Sequence, residues 1–267
     1  MLRSVLAVLL TTALAAPVAS SPPSASGLPY VDVFLAGDPR WGVPQFRIPA
    51  LVVTSKGTLL AFAEARYQPA SDCGFKVLVV RRSVDSGATW GALANVTIPN
   101  TALAVGNPQA VFHGPSGRVV VVFATTVLPA PPSGCSPSDA VWVVDDGGSD
   151  GLAWGAPTNL TGQLGNIAGH VVPGPGTGAI LTAGAHAGRI IMSGTHGVYG
   201  GDLVFFSNDG GATWALASMP GGLLPGMDES VLVERPDGVL SLNMRTAHRN
   251  ASCDCRAVST SSDSGSR

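Results

Sequence analysis

The chain has 267 residues, 45% of them hydrophobic, which is enough for a substantial core in one large domain or two small ones. Only 12% are charged, where about 25% is usual, and the net charge is −2 without any basic stripe or polybasic block. That balance argues against nucleic acid and anionic membrane surfaces as partners, while 34 Gly, 21 Pro and little 3.6-residue apolar periodicity point to an all-β fold.

Residues 1–20, MLRSVLAVLLTTALAAPVAS, carry one early Arg, a short apolar run and small residues beyond it. This is the build of a secretory signal peptide, with a run too short to span a bilayer. The expectation is a secreted or lumenal protein without a stable membrane anchor, whose domain occupies residues 21–267.

The first hairpin and its following loop, FRIPALVVTSKGTLLAFAEARYQPASDCG from Phe46 to Gly74, set Arg47, Glu64, Arg66 and Asp72 among apolar residues. With Lys56-Gly57 as a two-residue turn, Ser55 pairs with Thr58 and Arg47 falls opposite Arg66. Glu64 then lies on the same face. Like charges across a ladder repel, so the pair suits a shared anion, and guanidinium forks bind carboxylates through paired, charge-assisted hydrogen bonds. The alternative is a buried ion network in which Glu64 neutralises both arginines. Asp72 belongs to the loop at the same end, either as a surface acid or as a group facing the arginines.

An octet S-x-D-x-G-x-T-W follows, SVDSGATW at Ser83 to Trp90, and recurs as SNDGGATW at Ser207 to Trp214. GGSDGLAW at Gly147 to Trp154 is a degenerate copy, and SSDSGSR at Ser261 to Arg267 begins a fourth. Ser and Asp side chains can bond the backbone of a tight turn, Gly supplies a positive φ and Trp covers the turn, so these boxes read as structural staples. Each follows a hairpin whose turn ends in Gly57, Gly117, Gly188 or Gly238. Such a unit is a hairpin, a third strand, an Asp-bearing turn and a fourth strand, which repeated radially makes propeller blades; about four are present.

Within the second unit, Asn107 of GNPQAVF is expected in a loop entering the hairpin, and the apolar run Val119 to Ala124 reads as a buried strand. In the fourth unit a Pro236-Asp237-Gly238 loop pairs Arg235 with Val239, and that register sets Glu229 opposite Arg245. Corresponding blade ends converge near a propeller axis, which brings Arg47, Arg66 and Arg245 towards one cavity. Cys73, Cys135, Cys253 and Cys255 can pair as disulfides in an exported chain. Metal binding through Cys253 and Cys255 lacks further ligands at suitable spacing. Sequons stand at Asn95, Asn159 and Asn250.

FRIP with Arg47, the later Arg66, SDCG with Asp72, the repeated boxes, and Glu229 followed by LNMR with Arg245 resemble the sialidases (neuraminidases), six-bladed propellers that remove terminal sialic acid. The resemblance covers nearly all of residues 21–267. It implies that Arg47 and Arg245 hold the sialic acid carboxylate and that Arg66 reaches the sugar's polar substituents or supports Arg47. Asp72 becomes the acid/base at the glycosidic oxygen, Glu229 the carboxylate that activates a tyrosine nucleophile, and Asn107 a residue lining the glycan pocket. Sialylated glycans are the implied partners, no cofactor or metal is implied, and the oligomeric state stays open. The family's third arginine and tyrosine nucleophile fall downstream of Arg267, and none of Tyr30, Tyr67 and Tyr199 follows Arg245. The chain alone is therefore expected to be inactive or nearly so. A catalytically dead, lectin-like propeller and an Asp-box scaffold without a sugar site are the other readings.

Overall fold

The computed structural model describes residues 30–68, 71–129, 140–165, 171–197, 200–218, 226–246 and 255–265. The expected signal peptide, Cys135, Tyr199, Asn250 and Cys253 lie outside the described residues. Strands follow one another as four successive sheets. The first contains β1 (Gln45–Val53), β2 (Leu59–Arg66), β3 (Lys76–Ser83) and β4 (Ala94–Asn95) in sequence order. The second contains β5 (Leu103–His113), β6 (Arg118–Val127), β7 (Ala140–Asp145) and β8 (Thr158–Asn159). The third is built from β9 (Val171–Pro173), β11 (Ala179–Ile180), β12 (Ile190–His196), β13 (Asp202–Ser207) and β14 (Ala215–Leu216), while β10 (Gly176–Thr177) joins β5 in parallel. The fourth contains β15 (Met227–Glu234), β16 (Leu240–Thr246) and β17 (Ala257–Ser261).

All these strands lie in one compact unit, Val33–Arg267. First strands of consecutive sheets touch, β1 against β5, β5 against β11 and β11 against β15. The sheets are blades of a β-propeller with their first strands innermost.

Burial on both faces explains why the strands read as nearly continuous apolar runs. On β2, Leu60 and Phe62 enter a cluster shared with Val105, Val121 and Phe123 of the second sheet. Ala63 and Ala65 face the other way, onto Val43, Val77 and Val79. On β6, Val120 and Val122 turn from that first cluster towards Leu203 and Phe205 of the third sheet. Each large side chain so buried contributes roughly 1.5–3 kcal/mol.

The boxes form the expected staples. Ser83 Oγ bonds Asp85 Oδ1 (2.7 Å) and accepts from Gly87 N (2.8 Å), Asp85 accepts from Thr89 N (2.9 Å), and Trp90 Nε1 donates to Gly87 O (3.1 Å). Ser207, Asp209, Gly211, Thr213 and Trp214 repeat the same bonds. In the degenerate copy Ser149 Oγ accepts from Ala153 N (2.9 Å) and buried Asp146 accepts from Gly151 N (2.8 Å), so the turn survives with changed side chains. Boxes also lock sheet to sheet. Asp150 accepts from Thr54 (2.6 Å), Thr58 (2.7 Å) and Arg82 (2.7 Å) of the first sheet, and Arg189 of the third donates to Ser264 O (2.9 Å) in the fourth box.

One consequence is testable at Gly151, which has φ 75° and whose added Cβ would lie 2.6 Å from Leu60 Cδ2. Gly151→Ala is expected to cost about 2–3 kcal/mol, from the left-handed backbone and overpacking together. Gly57 has φ 78° with nothing within 4 Å, so Gly57→Ala is expected to cost about 1 kcal/mol. Urea unfolding midpoints compare the two directly.

The hairpin registers bring a correction. Thr54 pairs with Thr58, making the first loop Ser55-Lys56-Gly57 instead of Lys56-Gly57, and a bulge interrupts β1 between Arg47 and Ala50. Arg47 therefore faces Glu64, and Arg66 faces Gln45. The longer loop shifts the register by one residue and the bulge by another, where Ile48 has φ 55° and Pro49 has no amide for the ladder. β5 repeats it, with Asn107 at φ 54° before Pro108, so Asn107 sits on a bulged strand and not in a loop. In β15 the expected register holds from Glu234 to Ser230, then a bulge sets Asp228 and Glu229 together against Arg245.

Candidate functional site

Three bulges at corresponding ends of the first strands aim the charged residues. In the first sheet a ladder of charge runs from the interior to solvent. Glu64 is fully buried, and its Oε2 receives Arg66 Nε at 2.7 Å and NH2 at 2.6 Å. Its Oε1 receives Lys76 Nζ at 3.3 Å and the Asn107 backbone N–H at 2.8 Å. Arg66 NH1 then donates to Asp72 Oδ1 at 2.5 Å, where Arg47 NH1 also arrives at 3.2 Å. Asp72 is 72% exposed and Arg47 is half-exposed, so the outer rung is open to a ligand.

Of the two sequence readings of the hairpin, the buried ion network holds in part. Glu64 does neutralise buried cations, but these are Arg66 and Lys76, leaving Arg47 to Asp72. The hydrogen bond from Arg66 holds the Asp72 carboxyl below its ordinary value, against a smaller opposing effect of burial. Burial pulls Arg66 down, yet Glu64 and Asp72 outweigh it and the guanidinium is raised. Burial pushes the Lys76 amine down, with Glu64 opposing.

In the fourth sheet Arg245 NH1 meets Glu229 Oε2 at 3.0 Å and Asp228 Oδ2 at 3.3 Å. Burial and the neighbouring Glu229 push the Asp228 carboxyl up. Polar groups of the preceding sheet steady this bulge. Ser193 Oγ donates to Ser230 O at 2.9 Å and Thr195 Oγ1 to Met227 O at 3.4 Å. Glu64 does the same for the Asn107 amide, so the bulges of β5 and β15 both have backbone groups satisfied from the blade before. The geometry thus gathers Arg47, Arg66, Asp72 and the Asn107 backbone into one cluster and pairs Glu229 with Arg245 in another.

Lys76 and Asp228 were not singled out by sequence. Lys76 opens a strand, KVLVVRRS, that is otherwise apolar up to its arginines, which was a signal; Asp228 is brought in by the bulge, which left none. Cys73, beside Asp72, and Cys255 are both disulfide-bonded. An open cleft of about 440 Å³ adjoins the Asp72 loop, lined by Gln68, Ser71, Phe75, Thr101, Leu128 and Pro129 among others. Among the described residues no group of three or more His, Cys, Asp or Glu is arranged to hold a metal ion, and no helix is long and apolar enough to cross a membrane.

The BNR repeat-like domain family matches residues 57–267. A sialidase of Micromonospora viridifaciens is 31% identical over 93% of this chain and 40% of its own length. An exo-alpha-sialidase of Aspergillus fumigatus is 29% identical over 78% of this chain and 53% of its own. The chain spans between 40% and 56% of the length of such curated relatives. Among solved structures, Hadza microbial sialidase Hz136 superposes with a TM-score of 0.68 at 24% identity, over 84% of this chain and 46% of that one. A leech intramolecular trans-sialidase superposes at 0.69 with 16% identity, over 91% of this chain and 53% of its own, which supports the propeller fold. With Asp boxes stapling its blades and a family match from the first hairpin turn onward, the chain belongs to the BNR repeat-like domain family and is a homologue of sialidases.

Proposed function

We propose that this chain carries part of the active site of an exported exo-α-sialidase, a glycoside hydrolase that releases terminal sialic acid from glycoproteins, glycolipids or oligosaccharides. The observation that carries this reading is the meeting of Arg47 and Arg66 on Asp72 at the open end of the first blade. Two cations beside one exposed acid suit a substrate that brings its own carboxylate next to the bond to be broken.

In this reading Arg47 and Arg245 take the sialic acid carboxylate, and Arg66 supports Arg47 or reaches polar substituents of the sugar. Asn107 lines the pocket, and the leaving sugar lies towards the cleft beside the Asp72 loop. Asp72 gives its proton to the glycosidic oxygen as that bond to the anomeric carbon breaks. A tyrosine hydroxyl, polarised by Glu229, forms the new bond to the anomeric carbon and passes its proton to that carboxylate. The tyrosine comes from a segment that completes the ring. Water then attacks the anomeric carbon, Asp72 accepts its proton, and the tyrosine oxygen leaves and recovers its own. A neutral tyrosine suits this substrate because an anionic sugar would repel a carboxylate nucleophile.

Hydrolysis of a fluorogenic α-sialoside by the full-length protein tests the reading. Arg245→Ala is expected to raise KM at least tenfold, since a charge-assisted bond to the substrate carboxylate is worth about 1.5–3 kcal/mol. Unchanged turnover and KM in that variant would overturn its assignment. Retained binding of sialosides with no hydrolysis would favour a lectin-like propeller.

A further inference from the structure

We propose that Lys76 is a positioning residue which, by sharing the charge of Glu64, leaves Arg66 on Asp72 and so sets the pH at which Asp72 works. The inference rests on the sialidase reading of the site. Glu64 has two oxygens and three partners, with Lys76 and the Asn107 amide on Oε1 and the Arg66 fork on Oε2. Only because Lys76 holds one side of the carboxylate is Arg66 not its sole counter-ion. Arg66 thereby keeps NH1 for Asp72 at 2.5 Å.

The location of Lys76 is costly unless it performs such a task. It lies opposite Arg66 in the β2–β3 ladder, a like-charge pair, and its side chain is only 9% exposed. The next blade leaves it room. A Cβ on Gly106 of β5 would lie 2.7 Å from Lys76 Nζ and would also collide with Glu64 Oε1. The glycine is therefore the wall of a fitted space for the amine.

Three cations act on Asp72, Arg47 from β1, Arg66 from β2 and Lys76 from β3, while Glu64 acts only through Arg66. Removing Lys76 takes away one favourable charge and concentrates Glu64 on Arg66, drawing the guanidinium inward. Each change makes the Asp72 carboxylate less favourable, so its proton is held to higher pH. An acid catalyst fails as pH rises through its pKa, and the alkaline limb of the rate profile must then move upward.

The test measures kcat and KM against pH for a sialoside with a sugar leaving group, whose departure needs the Asp72 proton, using the full-length protein, Lys76→Met, Lys76→Arg and Gly106→Ala. Lys76→Met is expected to move the alkaline limb up by about one pH unit and to raise KM several-fold. Lys76→Arg restores the limb, and Gly106→Ala, whose Cβ crowds both Lys76 Nζ and Glu64 Oε1 and so parts them, moves it in the direction of Lys76→Met. Should Lys76→Met not fold, the other two variants carry the comparison. Turnover that depends on Asp72 with a limb unmoved by Lys76→Met and Gly106→Ala overturns this inference alone. A wild-type protein without turnover overturns the sialidase reading beneath it.

Discussion

Asp72→Ala in the full-length protein is expected to lower kcat on a sialoside with a sugar leaving group by about 10²–10⁴-fold, the range associated with a positioned general acid. The loss should be much smaller on an aryl sialoside, whose leaving oxygen departs without a full proton. A purely structural role of Asp72 would penalise both substrates alike, so equal losses would remove it from acid catalysis. Without ligand, the Arg66 bond favours the Asp72 carboxylate, with burial opposing, and that is the wrong form for an acid. A bound sugar carboxylate competes for Arg47 and Arg66 and relaxes that hold. Activity is accordingly expected on the acid side of neutrality and declines as pH rises through the Asp72 pKa of the bound state.

The propeller was legible because its signals are local and repeated. The octets predict their own hydrogen bonds, and Gly57, Gly117, Gly188 and Gly238 all adopt the positive φ expected of hairpin ends. Register was legible only where nothing interrupted it. The fourth hairpin kept its predicted pairing through Ser230, whereas the first lost it to a three-residue loop and a bulge. Asn107 at positive φ follows a known preference of asparagine and Ile48 does not, yet Pro49 and Pro108 beside them mark where a ladder must break. The candidate acids and arginines were readable as charges stranded in apolar sequence. Their partners were not, because Glu64–Asn107 and Asp150–Thr54 join residues 43 and 96 positions apart across blades.

The second large effect concerns Asp202, at the start of β13. It is fully buried, and neither carboxyl oxygen has a hydrogen-bond partner among the described residues. Burial is the main cause that pushes its pKa from 3.8 up to about 7. Ser230 and Arg256 oppose the shift and Asp228 reinforces it, although the Ser230 hydroxyl makes no well-formed bond to the carboxyl. A folded value above the unfolded one means that the native state binds more protons between them. Stability from this group is thus fully present below about pH 4 and is lost as pH rises towards 7, by about 4 kcal/mol in total. Carboxylates held low, such as Asp72 and Asp209, act the other way but lose their contribution only as pH falls below 3.8, outside this window. Asp202→Asn cannot ionise, so its urea midpoint should vary less between pH 4 and 8 and exceed that of the wild type at pH 8. Asp228, also raised, leaves some slope in the variant. Parallel midpoint curves for the two proteins would show that Asp202 is not the source of the dependence.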